Sequence, residues 1–515
     1  MAVRPRPLTV AGVAVAGIVF LLVAGTIAAV AVRADGGAGL RPSDLAAIRF
    51  TLWQAVLSAI LSVGLAVPVA RALARRRFAG RRLLVTLLGA PFILPVIVAV
   101  LGLLMVFGRG GWINAAGTGM GLPPVSIYGP WGVVLAHVFF NLPLAVRLIL
   151  QGWLAVPSER FRLAASLGLG PWATFRLIEL PILRGIVPGA ALIVFLVCTT
   201  SFAVALALGG GPRATTIELA IYQAFRFDFD LGRAALLALV QLAVTVAAAT
   251  LALTVALPDT LGGGLDRHVA RWDLARRWPD GIRIGLAALF LLLPLAALIL
   301  RGVPNLAGLD TSAWLAAMRS VVTAMGATVL TLCAALPVAV AMQRLRWGRV
   351  VEGLASLAIA ASPLVVGTGL FILIFPLVDP ALMALPVTAL VNAAMALPFA
   401  IRAIGPQVAQ TEARYGPLAD SLGLTGAARL RLLILPRLCR PLGFAAGLTA
   451  ALSMGDLGVV ALFADGRSET LPLHLYRLMG AYRMDDAAGA AVLLLALSLG
   501  AFWALDRGGR VDAGA

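Results

Sequence analysis

Lysine is absent from this chain, and all 41 basic residues are arginine. A glycine-rich loop that cradles the β and γ phosphates of a nucleotide needs a lysine, so the chain cannot be a P-loop ATPase by itself. Charge of either sign is scarce, at 12% of residues, where a soluble protein of 515 residues would interleave polar faces with its apolar ones. Cysteine is rare: Cys198, Cys333 and Cys439 lie in or beside apolar segments without paired spacing, which suggests neither a disulfide framework nor a metal site. His137, His268 and His474 are equally scattered, so no zinc cluster is expected. No span carries the grouped His, Glu or Asp that a membrane-embedded enzyme needs, and no catalytic residue is assigned.

What the chain has in quantity is apolar sequence, 61% of it, in blocks of about twenty residues that match the thickness of a bilayer's hydrocarbon core. The run from Leu8 to Val32 is too long for the core of a signal peptide and reads as a retained first span. Further spans are expected at 50–70, 83–107, 131–153, 185–208, 234–257, 284–300, 320–342, 353–377, 381–401, 441–463 and 488–506, twelve in all, so the fold class is an all-α polytopic membrane protein. With the N-terminus in the cytoplasm, the inside loops and tails hold 28 arginines and the outside loops 12, the densest group being Arg71, Arg75, Arg76, Arg77, Arg81 and Arg82. This asymmetry places both termini in the cytoplasm. The net charge of +18 is accounted for by the same loops, which leaves no continuous basic face for nucleic acid.

The chain repeats itself. Pro143-Leu-Ala-Val-Arg147 returns as Pro398-Phe-Ala-Ile-Arg402, and Gly168 and Pro181 return as Gly423 and Pro436, each displaced by 255 residues. A constant displacement over such a stretch implies two duplicated six-span halves, residues 1–257 and 284–515, joined by a polar, Gly-rich cytoplasmic linker at 258–283. After its fourth span each half makes a loop, 157–181 and 411–436, neither apolar enough to span nor polar enough to be a plain linker. Each has a small-residue helical turn, a glycine suited to a bend at positive φ, and an amphipathic piece ended by proline. Trp172, Phe175, Leu177 and Ile178 would be costly to leave in water and need a groove or the bilayer surface.

The pattern of small-residue turn, Gly168 or Gly423, nine residues, then Ile178-Glu-Leu180-Pro181 or Leu433-Ile-Leu435-Pro436 resembles the cytoplasmic signature loop of ABC importer permeases. It departs at the first position, where the family's usual acid is Arg162 in one half and Pro417 in the other. A closer resemblance, to the thiamine and thiamine pyrophosphate importer permeases, lies in Ser201-Phe-Ala-Val, in Leu208 to Gln223 and in Gly455-Asp-Leu-Gly-Val-Val. It extends more loosely to ferric-iron importer permeases. The resemblance implies the type I importer fold and a coupling helix in each loop. It also implies two copies of a separate ATPase subunit that uses ATP and magnesium, a periplasmic binding protein, and no cofactor on this chain.

Polar residues inside spans are expensive and are pathway candidates by default. Asp456 is the acid that stands well inside an apolar block, in the eleventh span, where its charge would complement the thiazolium cation; interhelical hydrogen bonding is the structural alternative. Thr199, Thr200, Ser201 and Phe202 occupy the matching place in the fifth span, and His137 and Asn141 lie in the fourth. A rival class, a secondary transporter of the major facilitator type, finds a faint signature in Phe78-Ala-Gly80-Arg81-Arg82 but has no counterpart of the paired loops.

Overall fold

The computed structural model describes residues 7–34, 39–89, 93–253, 278–466 and 468–511, and these are helical throughout, without a strand. In the first half, α1 (Pro7–Ala34) and α2 (Pro42–Arg75) are followed by a broken third span, α3 (Arg81–Leu87) and α4 (Val96–Phe107), with Pro95 as the N-cap of α4. A short α5 (Trp112–Gly119) leads to α6 (Pro130–Leu154), α7 (Ser158–Ser166) and α8 (Pro171–Thr174). A single π-helical turn, Phe175–Glu179, then joins α8 to α9 (Leu180–Thr199), and α10 (Ala203–Leu208), α11 (Ile217–Arg226) and α12 (Leu231–Leu253) complete the half. Prolines open α1, α2, α6 and α8, where the missing N–H belongs to a group without an intrahelical partner anyway.

The second half repeats this order. It has α13 (Trp278–Asn305), α14 (Thr311–Arg344), the pair α15 (Gly348–Ala355) and α16 (Pro363–Ile374), and a long α17 (Ala384–Ser421). Then come α18 (Gly426–Arg429), a π-helical turn at Leu430–Ile434, α19 (Leu435–Met454), α20 (Gly458–Phe463), α21 (Leu471–Gly480) and α22 (Met484–Val511). The two halves run in the same order, but the displacement between them is not constant. It is 267 from α4 to α16, and 255 from α9 to α19, because the first half's connection into its fourth span carries the extra α5.

Eleven helices of the described residues are long and apolar enough to cross a membrane, and α16, shorter, stands in the ninth place. The chain is therefore a multi-pass membrane protein. Several spans differ in detail from the sequence expectation. The continuous helices expected at 83–107 and 353–377 are each broken, before Pro95 and before Pro363, because proline offers no donor and its ring clashes with the preceding turn. Those expected at 185–208 and 441–463 start a turn earlier and break at Thr200–Phe202 and Gly455–Leu457. The linker expected at 258–283 lies outside the described residues as far as 277, and from Trp278 onward it is the start of α13. The arginines before Pro7 also lie outside them.

Within each half the spans pack as a bundle, α2 with α6 and α9, and α14 with α17 and α19. The first helix of each half crosses over: α1 packs along α14, α15 and α16, and α13 along α2 and α4. Equivalent glycines permit both crossings. A Cβ on Gly102 in α4 would stand 2.7 Å from the Pro294 carbonyl oxygen of α13, and one on Gly369 in α16 would stand 2.5 Å from the Thr26 carbonyl oxygen of α1. Small residues at such contacts let helix backbones approach where lipid leaves no hydrophobic driving force between helices. The exchange locks the two halves into one body.

Candidate functional site

Between the halves lies a cavity of about 360 Å³ whose walls come in equivalent pairs. His137, Phe140, Asn141 and Leu144 on α6 face Asn392, Met395, Ala396 and Phe399 on α17, each displaced by 255, and Val197 and Ser201 face Leu452 and Asp456 in the same register. Pro95 and Pro363, which break the third and ninth spans, also line it. Each half thus contributes a proline break, one face of its fourth span, and the break after its fifth.

The polar groups of this cavity are incompletely satisfied. The Gly458 N–H donates to Asp456 Oδ1 at 3.2 Å, but Oδ2 is buried without a hydrogen-bond partner. His137 is 3% exposed, and neither of its ring nitrogens has a partner. Asn141 Nδ2 instead donates to the His137 carbonyl at 2.8 Å, and Asn392 Nδ2 donates to Ser453 Oγ at 2.9 Å. Unpaired buried groups of this kind cost free energy, and a ligand that supplies donors or positive charge recovers it. The remaining walls are aromatic and aliphatic, as in most small-molecule sites.

Of the sequence candidates, Ser201 and Asp456 lie on the cavity, and so do His137 and Asn141. Thr200 turns its hydroxyl back to the Leu196 carbonyl at 3.3 Å, and Thr199 does the same at 2.8 Å. Phe202 is buried against Tyr222, their ring centroids 5.3 Å apart. Another buried acid lies outside the spans expected from sequence. Glu218, in the first turn of α11, is 1% exposed with Oε1 unpartnered. The signal for it was local: Thr216 caps α11 through the Leu219 N–H, and an acid in a first turn suits the helix dipole. A ten-residue helix falls below a search for spans.

The paired loops lie together with the arginine cluster on one face. Arg71, near the end of α2, donates to Glu179 Oε2 at 2.6 Å, and Glu179 is fully buried. Gly168 and Gly423 both have φ of 65°, the left-handed bend that their spacing suggested. Three leucine pairs point outward from both loops, Leu163 with Leu418, Leu167 with Leu422, and Leu177 with Leu432, each more than half exposed. Trp172 joins them in the first loop alone, at 71% exposure. Ile178 instead packs inward on Val156 and Phe161, and Leu433 is buried. Leu180, Pro181, Leu435 and Pro436 form the first turns of α9 and α19, directly after the two π turns.

An all-helical body of two interlocked halves, a cavity lined in pairs by both, and two matching loops on one face define a membrane permease. Comparison by sequence carries this further. The chain is 40% identical over 98% of its length, and 96% of the relative's, to the thiamine transport system permease protein of Brucella abortus. It is 41% identical to that of Escherichia coli over 89% of this chain and 88% of the other. It therefore belongs to the thiamine transport system permease family. A molybdenum transport system permease protein of Azotobacter vinelandii is 32% identical over 35% of this chain and 80% of its own length. No family model matches.

Proposed function

We propose that this chain is the transmembrane subunit of an ATP-driven importer that carries thiamine or its phosphates from periplasm to cytoplasm. A periplasmic binding protein delivers the cargo, and two copies of a separate ATPase dock on the loops at 157–181 and 411–436. The observation that carries the reading is the duplicated loop: the same three outward leucines and the same positive-φ glycine recur at one displacement on one face. Two identical partner subunits need such a repeat. A chain without lysine leaves nucleotide hydrolysis to those partners. The names of its relatives supply the cargo.

The geometry suggests how docking reaches the cavity. Each loop continues through a π turn into α9 or α19, and the far end of that helix carries Val197 or Leu452, with Ser201 or Asp456 just beyond. Closure of the ATPases draws the two docked helices together and tilts α9 and α19, which changes the separation of the cavity walls and the side on which it opens. The unpaired oxygen of Asp456 offers a charge to the fixed cation of the thiazolium ring, and Phe140 and Phe399 offer aromatic faces.

Reconstitution tests this. Vesicles holding the chain with its ATPase and binding protein should accumulate labelled thiamine on ATP addition, and Asp456→Asn should lower that uptake about tenfold while the ATPase subunit still co-purifies. Transport of ferric iron but not of thiamine or its phosphates would refute the cargo. Activity of the chain alone would refute the importer.

A further inference from the structure

On the face opposite the paired loops, where α11 and α21 end, the backbone takes the same strained form twice. Phe229, at φ 51°, and Tyr482, at φ 59°, are the non-glycine residues at positive φ among the described residues. They are equivalent positions, each just before the sixth span of its half. Bulky side chains are genuine outliers in this region, which a glycine enters freely. Neither ring gains from internal packing, since Phe229 is 80% exposed and Tyr482 87%. An aromatic held in strain and presented to the exterior at both equivalent places is a feature that stability does not explain.

Their surroundings fix where they stand. Asp230, next to Phe229, accepts from Arg41 at 3.0 Å, and Arg483, next to Tyr482, donates to Asp310 at 3.0 Å. These pairs join the start of the sixth span to the start of the second in each half, at the end away from Glu179. The helices that lead into both aromatics, α11 and α21, lie at the seam between the halves. Phe225 of α11 meets Phe371 of α16 with ring centroids 4.2 Å apart, and α21 packs against α4. A belt of lipid anchors would ring the outer helices instead.

We propose that Phe229 and Tyr482 are a matched pair of contact points for the two lobes of the periplasmic substrate-binding protein, an inference that rests on the importer reading above. A partner seated across a pseudo-two-fold seam must offer two similar surfaces, and a hinged two-lobed protein does so. The ion pair beside each aromatic is reversed, Arg41 on Asp230 in one half and Asp310 on Arg483 in the other, so the lobes meet unlike settings and bind in one orientation. Aromatics of this exposure are the side chains that most often carry interface affinity.

The test uses the complete complex in vesicles, titrated with the thiamine-loaded periplasmic binding protein of the same cell. Phe229→Gly and Tyr482→Gly remove the ring and relieve the positive φ, so the fold and the bound ATPase are retained. Each should raise the binding-protein concentration for half-maximal ATPase stimulation about tenfold, and the pair should act together. Wild-type stimulation in both variants would overturn the inference while leaving the importer intact. So would unchanged stimulation with impaired insertion into vesicles, which would assign the rings to the bilayer surface. If the wild-type complex were not stimulated by any thiamine-binding protein, the importer reading would fall and this inference with it.

Discussion

The two loops on the cytoplasm-assigned face present the same leucines and the same bend, yet they are held by different means. In the first, Pro157 ends the fourth span, and α7 folds over a small satellite core of Val156, Phe161, Ile178 and Ile182. One buried acid, Glu179, ties its π turn to Arg71, whose guanidinium also lies 5.5 Å from the Phe175 ring centroid. In the second, Glu412 occupies the place of Pro157, and α17 runs unbroken for 38 residues to Ser421. Glu412 accepts from Arg344 at 3.1 Å and from Arg429 at 2.5 Å, and Arg429 also reaches Asp420 at 2.6 Å. Leu433 and Ile434 there belong to a large core shared with α1, α14 and α17. On the proposed function, a docking face is duplicated faithfully while its supports drift, because the partner reads only the outward side chains.

The contrast is open to direct attack. Glu412→Gln should cost about 3 kcal/mol of stability, since Arg429 is 3% exposed and cannot recover hydration. Glu179→Gln should cost about 1 kcal/mol less, because Arg71 is 20% exposed and keeps its ring. Thermal unfolding of the purified complex ranks the two, and the reverse order would break the comparison. Gly168→Val and Gly423→Val place a branched residue at φ 65°, at about 2 kcal/mol each, and should weaken ATPase co-purification. The first should weaken it more, because its satellite core is smaller. Equal retention of the ATPase in the double variant would mean that both loops merely lie on the membrane.

Trp172→Ala should lower ATPase affinity at the first loop by about 1.5 kcal/mol, whereas Leu432→Ala in the second should lower it by less. Equal effects in a binding titration would show that the two docking sites are equivalent after all. The smallest effect belongs to the opposite face, where Arg41–Asp230 in one half is replaced by Asp310–Arg483 in the other. The exposed pair has exchanged signs, so the double change Arg41→Asp with Asp230→Arg should shift stability by less than about 1 kcal/mol. Each single change should cost more than the double, and a double-mutant cycle measures the difference.

Much of this architecture was legible in the chain. Gly168 and Gly423 announced their bends through spacing, and the group from Thr199 to Phe202 stood as the match of Asp456 before the cavity singled out Ser201. The repeat was seen only from the fourth span onward, because α5 changes the displacement from 267 to 255 and hides the likeness of the earlier helices. Glu218 escaped because its helix is short and its burial depends on neighbours distant in sequence. His137 was one candidate among several until its two unpartnered nitrogens appeared on the same cavity as Asp456.

By itself the sequence determined which segments enter the membrane, since the length of an apolar run and the cost of burying charge are local properties of the chain. It also determined the paired bends, since positive φ is a matter of one residue's side chain. Only the tertiary structure decided that α1 and α13 change places, that α6 and α17 face each other over the cavity, and which acid holds which arginine. Those outcomes depend on which helix faces can approach closely, at contacts such as Gly102 on Pro294 and Gly369 on Thr26, between residues far apart in the chain.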